Sequence, residues 1–210
     1  MTKKMIGIID IGISNGFSVA NAFRYLNIKH VLIQENRGLS ECSHLVLPGV
    51  GSYTAAMAIL HEKDLVSPIL HHAKAGKPLL GICLGMQLLT EFGDEGTGSV
   101  GLGLLKGRVS KMTLPEINLR LPHMGWNHLE VEKYSHLLPE NEVKDATFYF
   151  AHSYVCLSLD EQDILARSHY GQSFVSAIAH DNILGVQFHP EKSQSAGLSL
   201  LERFVCSEHA

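Results

Sequence analysis

The sequence lacks the features that mark disulfide-rich, zinc-binding or membrane-spanning proteins. It has only four cysteines in 210 residues, and they are far apart, without CxxC or CxxH spacing. We therefore expect no disulfide framework and no metal site, and a reducing cytoplasm is the expected location. No apolar run approaches the roughly 18 residues that a membrane helix needs. The start of the chain, residues 1–12, predicts a first strand rather than a signal peptide.

Charge is also scarce. Lys and Arg number 17 and Asp and Glu 21, which gives a formal net charge of −4. A nucleic acid or an anionic membrane would need a basic face, so this balance argues against either as the main partner. The hydrophobic share of 45% excludes a disordered chain, and no linker divides the sequence. We expect one domain over residues 1–210.

The order of apolar and amphipathic segments predicts an α/β fold. In the first half, short apolar runs alternate with helical stretches, which is typical of a parallel sheet with helices on both faces. We expect strands at 5–10, 30–34, 44–48 and 78–82, and helices at 18–27, 54–76 and 84–92. Ser18 is the expected N-cap of the first helix. In the second half we expect strands at 105–112, 128–132, 146–155, 172–180 and 182–188 and a closing helix at 198–206. These strands are expected to extend the same sheet in a mixed or antiparallel arrangement.

Cys83 is the candidate nucleophile. It stands in GICLG, where Gly81 and Gly85 flank it after an apolar strand and before a helical stretch. This is the thiol form of the nucleophile elbow, a strained turn that bulky neighbours would obstruct. The turn places the sulfur at a helix N-terminus, where N–H groups favour a thiolate and can hold an oxyanion. The alternative is a buried structural cysteine beside glycines that only permit close packing.

A base for this thiol is predicted near the C-terminus. An apolar strand ends at His189, and Glu191 follows after Pro190. Residues i and i+2 of an extended chain project to the same side, so Glu191 can hydrogen-bond the imidazole. A histidine held in one tautomer by a carboxylate can act as both base and acid. Strand ends at Cys83 and His189 can lie on one edge of a parallel sheet; the alternative is an ordinary surface pair.

Glycine-rich turns suggest where negative charge could be held. The segment PGVG (48–51) follows a strand, and its flexible backbone could turn N–H groups towards an acyl oxygen, although a simple turn is the other interpretation. Residues 96–105 also contain G-x-G patterns. They do not stand between a strand and a helix, so we do not expect dinucleotide binding.

Five segments, in order along nearly the whole chain, resemble one family. They are PGVG (48–51), GICLGMQLL (81–89), LPHMGWN (121–127), FYFAHSY (148–154) and GVQFHPEKS (185–193). Together they are similar to the glutaminase subunits of imidazole glycerol phosphate synthase, which are class I, triad-type glutamine amidotransferases. The cysteine elbow and the HPE segment are common to that class, whereas residues 121–127 and 148–154 are specific to this subunit.

The resemblance implies a flavodoxin-like α/β fold and hydrolysis of L-glutamine to glutamate and ammonia, with no cofactor. Cys83 would be the nucleophile, His189 the acid and base, and Glu191 its orienting partner. The implied partner is a (β/α)8-barrel synthase subunit in a heterodimer, which takes the ammonia through its barrel. It would make imidazole glycerol phosphate and aminoimidazole carboxamide ribotide in histidine biosynthesis. The other implied residues are Val50, Gly51 and Leu84 as oxyanion donors, Gln87, Glu95, Ser153 and Tyr154 for glutamine, and Asn15, Met124, Trp126, Tyr149 and Lys192 at the partner interface.

Three alternatives stay open at this point. A related subunit could feed ammonia to a sugar-modifying synthetase of surface polysaccharides, because residues 14–19 read SNGFSV where the family commonly has a GNLxSV-like run. A stand-alone cysteine hydrolase is another, but the loop at 121–127 would have no evident use in it. A scaffold without activity is the third, and the intact set of Cys83, His189 and Glu191 argues against it.

Overall fold

A computed structural model describes residues 4–12, 15–114 and 119–207 of the chain. Within these ranges the strands are β1 (Ile6–Ile9), β2 (His30–Ile33), β3 (His44–Gly49), β4 (Leu79–Cys83), β5 (Phe92–Gly93), β6 (Ser99–Val100), β7 (Arg108–Lys111), β8 (His123–Asn127), β9 (Glu130–Val131), β10 (Phe148–His152), β11 (Tyr154–Leu157), β12 (Ile164–Tyr170), β13 (Gln172–His180) and β14 (Ile183–Val186). The helices are α1 (Gly16–Tyr25), α2 (Tyr53–Glu62), α3 (Val66–Lys74), α4 (Leu84–Leu88), α5 (Glu140–Val143) and α6 (Gln194–Cys206). Short 3-10 turns occupy Leu39–Glu41, Glu161–Asp163 and Pro190–Lys192.

Eight strands form the main sheet, in the order β2-β1-β3-β4-β14-β13-β12-β9. The first five are parallel and the last three continue antiparallel. The expected α/β class, a mostly parallel sheet with helices and an antiparallel extension, is confirmed. The other strands do not join this sheet as expected: β10 pairs with β8, and β11-β7-β5-β6 form a four-stranded sheet.

The parallel strands are buried on both faces, as their continuous apolar sequences predict. On β1, Ile8 belongs to the apolar cluster that includes Phe23 of α1 and Phe204 of α6. The next residue, Ile9, belongs to the opposite cluster, which includes Met57 of α2. Helices therefore cover the sheet on two sides and leave the ends of its strands for chemistry. Within the described residues, no helix combines the length and apolar character needed to cross a bilayer.

The single helix predicted over 54–76 is wrong, because the chain reverses at Asp64. Asp64 has a φ of +53°, and the amide of Leu65 donates to the carbonyl of Leu60 at 2.9 Å. This is the Schellman arrangement that ends a helix, here with aspartate in the left-handed position where glycine is usual. Burial of both Leu60 and Leu65 stabilises the reversal, so two helices replace one.

Other boundaries also differ from the sequence expectations. Helix α1 begins at Gly16, and the amide of Ser18 donates to the carbonyl of Asn15 at 2.9 Å, so Ser18 is not the N-cap. The supposed loop at 121–127 contains strand β8. The strand expected over 146–155 is divided at Ser153 between β10 and β11, which belong to different sheets. Strand β12 was not foreseen. Residue 14, which opens the divergent run 14–19, lies outside the described residues.

Candidate active site

Cys83 stands at a sharp strand-to-helix turn. It is the last residue of β4, and α4 begins at Leu84. Its backbone has φ +55° and ψ −111°, a conformation that L-residues rarely adopt. Strain of this kind persists only where the surrounding structure enforces it, and it is frequent at functional sites. The turn expected from GICLG is therefore present.

The two flanking glycines are required by close backbone contacts. A Cβ on Gly85 would lie 1.7 Å from the carbonyl oxygen of Leu47 on β3. A Cβ on Gly81 would lie 2.7 Å from the backbone of Gly85 and Met86. Helix α4 thus rests directly on the backbone of neighbouring strands, which holds Cys83 in its strained conformation.

The order of the strands brings Cys83 and His189 to one edge of the sheet. Strand β4 lies between β3 and β14 and is parallel to both. Gly49 pairs with Cys83, and Val186 of β14 pairs with Ile82, so the chain reaches His189 shortly beyond the same edge. The amide of His189 donates to the carbonyl of Tyr149 at 2.8 Å, which ties it to β10.

His189 and Glu191 form a buried pair. The His189 Nδ1 and Glu191 Oε1 atoms are 2.8 Å apart, and the two side chains are 1% and 0% exposed. A carboxylate accepts the Nδ1 proton and so leaves Nε2 as the second ring nitrogen available for proton transfer. Nε2 is buried and has no hydrogen-bond partner among the described residues. The predicted contact is present, although Glu191 lies in the 3-10 turn Pro190–Lys192 and not in an extended segment as the i, i+2 argument assumed.

Electrostatics favour the protonated form of His189. Burial lowers the pKa of His189, but the negative charge of the Cys83 thiolate and the Glu191 carboxylate outweigh it and raise the pKa above its ordinary value. The sulfur of Cys83 is near enough to the ring to contribute to this shift, so the site keeps a proton on His189 beside the candidate nucleophile.

Two further side chains contact this group and were not singled out for it from the sequence. Asn15 donates through Nδ2 to Glu191 Oε1, and the same nitrogen is 3.3 Å from His189 Nδ1. Gln187 donates through Nε2 to the sulfur of Cys83 over 3.7 Å. The i, i+2 rule also predicts that Gln187 projects to the same side of the chain as His189. The sequence therefore contained a signal that Gln187 belongs to this group.

The residues expected to bind glutamine lie around helix α4 and the start of β11. Gln87 is buried, and its Nε2 donates to the carbonyl of Tyr154 at 2.9 Å. Glu95 accepts the amide of Tyr53 at 2.6 Å through Oε2, at the start of α2. Partial burial and the negative charges of Glu95 and Asp94 raise the pKa of Tyr154. Ser153, between β10 and β11, accepts the amide of Met112 on its carbonyl at 2.9 Å.

The expected oxyanion donors are at the end of β3 and the start of α4. Val50 and Gly51 follow Gly49, which is paired with Cys83. Gly51 has a φ of +94°, which favours glycine at this position. Leu84 is the first residue of α4, and the N–H groups of a first turn have no partner within the helix. Val50, Gly51 and Leu84 thus lie at the same edge of the sheet as Cys83.

Three of the residues expected at the partner interface form a row across β8 and β10, and the other two, Asn15 before α1 and Lys192 in the 3-10 turn after His189, lie outside these strands. Trp126 and Tyr149 are register partners, with ring centroids 5.8 Å apart. The Lys192 ammonium is 5.6 Å from the centre of the Tyr149 ring, which lies 6.3 Å from the His189 ring. Met124 is 64% exposed and Trp126 47% exposed. The exposed side chains of Met124 and Trp126 therefore lie in a row that ends at Tyr149, beside the candidate catalytic histidine.

Comparison with known proteins gives a consistent set of relatives. The model of the family "Glutamine amidotransferase class-I" matches residues 7–207. The imidazole glycerol phosphate synthase subunit HisH of Desulfitobacterium hafniense is 47% identical, over 95% of this chain and 93% of its own. The corresponding subunit of Aquifex aeolicus is 46% identical over 94% of each chain.

Solved structures share the fold at lower identity. The structure of PurLQS from Thermotoga maritima matches with a TM-score of 0.76 and 18% identity, over 98% of this chain and 99% of the other. A crystal structure of a glutamine amidotransferase matches with a TM-score of 0.73 and 20% identity, over 95% and 96%. These likenesses concern the fold alone.

Proposed function

This chain belongs to the class-I glutamine amidotransferases, within the HisH family of imidazole glycerol phosphate synthase subunits, and on that premise we propose how its residues hydrolyse glutamine. Cys83 is the nucleophile, His189 the acid and base, and Glu191 the residue that orients His189. The observation that carries this proposal is the buried 2.8 Å His189–Glu191 pair at the sheet edge that also holds the strained Cys83 turn.

The first half of the reaction forms a thioester. The Cys83 thiolate attacks the side-chain carbonyl carbon of glutamine, and the carbonyl oxygen becomes an oxyanion held by backbone N–H groups of Val50, Gly51 and Leu84. His189, whose raised pKa keeps its proton in place, gives that proton to the amide nitrogen. The C–N bond breaks, ammonia leaves, and a γ-glutamyl thioester remains on Cys83.

The second half restores the enzyme. A water molecule attacks the thioester carbonyl while neutral His189 accepts one of its protons. The resulting tetrahedral intermediate expels the Cys83 thiolate, so the C–S bond breaks and glutamate is released. The thiolate and the imidazolium are then present again, as at the start. Gln87, Glu95, Ser153 and Tyr154 are the proposed contacts to the glutamine substrate.

The ammonia is proposed to pass to a partner synthase subunit without contact with bulk water. In water it would be protonated and lost as a nucleophile, so the two sites need a sealed junction. The exposed Met124 and Trp126 and the half-buried Tyr149, with Lys192 and Asn15 beside the triad, suit such a junction because aromatic residues and methionine are enriched in interfaces. We propose a heterodimer with a (β/α)8-barrel subunit that has lyase activity and conducts the ammonia. A reducing cytoplasm would keep the Cys83 thiol free.

The proposal is tested with Cys83→Ala in complex with the synthase subunit. We expect glutamine-dependent turnover to be lost, whereas turnover with added ammonium salt is retained because the partner's site is intact. Cys206→Ser is the matched control, since Cys206 is an exposed free cysteine on α6 and should leave both activities unchanged. Retained glutamine-dependent turnover in Cys83→Ala would refute the triad.

The comparison also bears on the pathway. The relatives described above carry the name of the synthase subunit, which supports the histidine pathway over delivery of ammonia to a sugar-modifying synthetase. We further propose that glutaminase activity is low until the partner docks and organises the segment 48–51. Equal rates for the isolated chain and the complex would contradict this.

A further inference from the structure

The buried amide of Gln187 is held against the sulfur of Cys83. Gln187 follows strand β14 and is 0% exposed. Its Nε2 donates to Cys83 Sγ over 3.7 Å, which is a normal range for a hydrogen bond to sulfur. A fully buried amide needs partners for both ends, so its orientation can be worked out from its neighbours.

A backbone carbonyl fixes which end of Gln187 faces the sulfur. The carbonyl of Tyr154 can only accept, and the Gln87 amide group is 2.9 Å from it, so the atom facing this carbonyl is the Nε2 of Gln87. The same Nε2 of Gln87 is 3.0 Å from the side-chain amide of Gln187. Because this Nε2 can only donate, Gln187 must turn its Oε1 atom towards it. The NH2 group of Gln187 is therefore turned to Cys83. The orientation follows from the network, with no freedom to flip either amide.

The Gln187 donor matters because few other side chains near the Cys83 sulfur favour its ionised form. The carbonyl of Ala151 is 3.9 Å from Sγ and suits the protonated thiol, since a carbonyl can only accept. Burial and the charge of Cys83 raise the pKa of Cys156 to about 12, so it stays a thiol. Among the described side chains this leaves His189, paired with Glu191, and Gln187 to favour the ionised sulfur, in addition to the N–H groups at the start of α4.

We propose that Gln187 is a further catalytic residue, which stabilises the Cys83 thiolate by direct N–H donation while Gln87 fixes its orientation. The proposal rests on the function proposed above. The bond supports the thiolate before attack and again when the tetrahedral intermediate expels it, because an N–H donor favours the charged form of an acceptor. Gln87 accordingly acts as a positioning residue in addition to its expected place beside the substrate.

The test is the pH dependence of alkylation of Cys83 by iodoacetamide, which requires neither glutamine nor the partner subunit. All variants are made in a Cys206→Ser background, and the modified peptide is identified by mass spectrometry. For Gln187→Met, a near-isosteric change that removes the donor, we expect the pH midpoint of alkylation to rise by about one unit, with a roughly tenfold lower rate at pH values below the midpoint. Gln187→Glu should raise it further, because a carboxylate repels the thiolate.

Controls separate this effect from a loss of structure. Ser168→Ala changes a residue that is also 0% exposed and removes its hydrogen bond, from Ser168 Oγ to the carbonyl of His128 at 2.8 Å, on strand β12. It should leave the midpoint unchanged at a similar cost in thermal stability. Gln87→Met leaves the Gln187 side chain in place but frees its orientation, and we expect a smaller upward shift.

The outcomes are distinguishable. An unchanged midpoint in folded Gln187→Met overturns the inference. If that variant does not fold, Gln87→Met decides: an upward shift in its midpoint supports the role, and no shift overturns it. Persistence of glutamine-dependent turnover in Cys83→Ala would instead remove the proposed function, whereas a dead Cys83→Ala with an unmoved Gln187→Met midpoint removes only this inference.

Discussion

Gly85→Ala tests the backbone contact that holds the candidate nucleophile in place. A Cβ at this position would lie 1.7 Å from the carbonyl oxygen of Leu47 and 2.7 Å from its carbonyl carbon. Real Cβ atoms essentially never approach closer than 3.0 Å, so helix α4 and strand β3 would have to separate by about 1.3 Å. Because both partners are backbone, no change of rotamer can relieve the clash.

This separation should reduce both stability and activity. Overpacking a well-packed site costs about 1–3 kcal/mol, and a clash with backbone places Gly85→Ala at the upper end, near a loss of about 3 kcal/mol in the free energy of unfolding. Cys83 and Leu84 directly precede Gly85, so the sulfur and the oxyanion N–H would move with the helix. A displacement of about 1 Å in a catalytic group can lower the rate about 100-fold.

The measurements are urea unfolding and glutamine-dependent turnover in complex with the synthase subunit. Gly76→Ala is the control: Gly76 ends α3 with a φ of +74°, and a Cβ there would have nothing within 4 Å. Gly76→Ala should lower the free energy of unfolding by only about 1 kcal/mol, the cost of the left-handed conformation, and should leave turnover unchanged. If Gly85→Ala were as stable and as active as the unchanged chain, helix α4 could not rest on β3 as described.

Two further predictions concern proton transfer and the partner. Glu191→Gln removes a charge that raises the pKa of His189, so the ring should lose its proton at lower pH. The alkaline limb of the pH profile of turnover should therefore move to lower pH, and an unmoved limb would contradict this. Trp126→Ala should weaken association with the synthase subunit by about 2 kcal/mol, measured by calorimetry, with an unchanged thermal midpoint because this ring is 47% exposed. Tyr134→Ala, at an 89% exposed ring, is its control, and equal weakening in both would count against the proposed interface.

The first half of the chain could be predicted from sequence because its signals are local. Continuous apolar runs gave the parallel strands β1 to β4, and the glycines beside Cys83 gave the turn. The two main errors there have local causes as well. Asp64 ends a helix in a left-handed conformation that aspartate adopts less often than glycine, and the helix expected at 84–92 ends at Leu88, before strand β5.

The second half was harder because strand pairing there depends on distant segments. Residues 146–155 have one continuous strand pattern, yet residues before Ser153 pair with β8 and those after it pair with β7. Nothing in the local sequence says that one run serves two sheets. The segment 121–127 was expected to be a loop because Gly125 and polar residues flank its only tryptophan. The structure instead shows the alternation of a strand, with His123 buried and Met124 and Trp126 exposed.

The position of Asn15 joins the proposed partner surface to the proposed triad. It was expected at the interface, and its Nδ2 donates to the Oε1 of the fully buried Glu191 carboxylate, whose Oε2 has no partner among the described residues. Docking on this segment would therefore act directly on the residue that orients His189. Asn15→Asp replaces the donor with a like charge while keeping the shape of the side chain.

We expect Asn15→Asp to lower glutamine-dependent turnover of the complex at least roughly tenfold, because a lost hydrogen bond to a buried charge is worth about 1.5–3 kcal/mol. Turnover with ammonium salt should be unchanged, since the synthase site is not involved. Phe17→Ala alters the same helix start at a 68% exposed side chain that has no contact with Glu191 among those described, and it should reduce partner affinity without lowering the turnover of the saturated complex. Full glutamine-dependent turnover in the saturated Asn15→Asp complex would mean that Glu191 does not depend on this donor, and that the partner reaches the triad by another route.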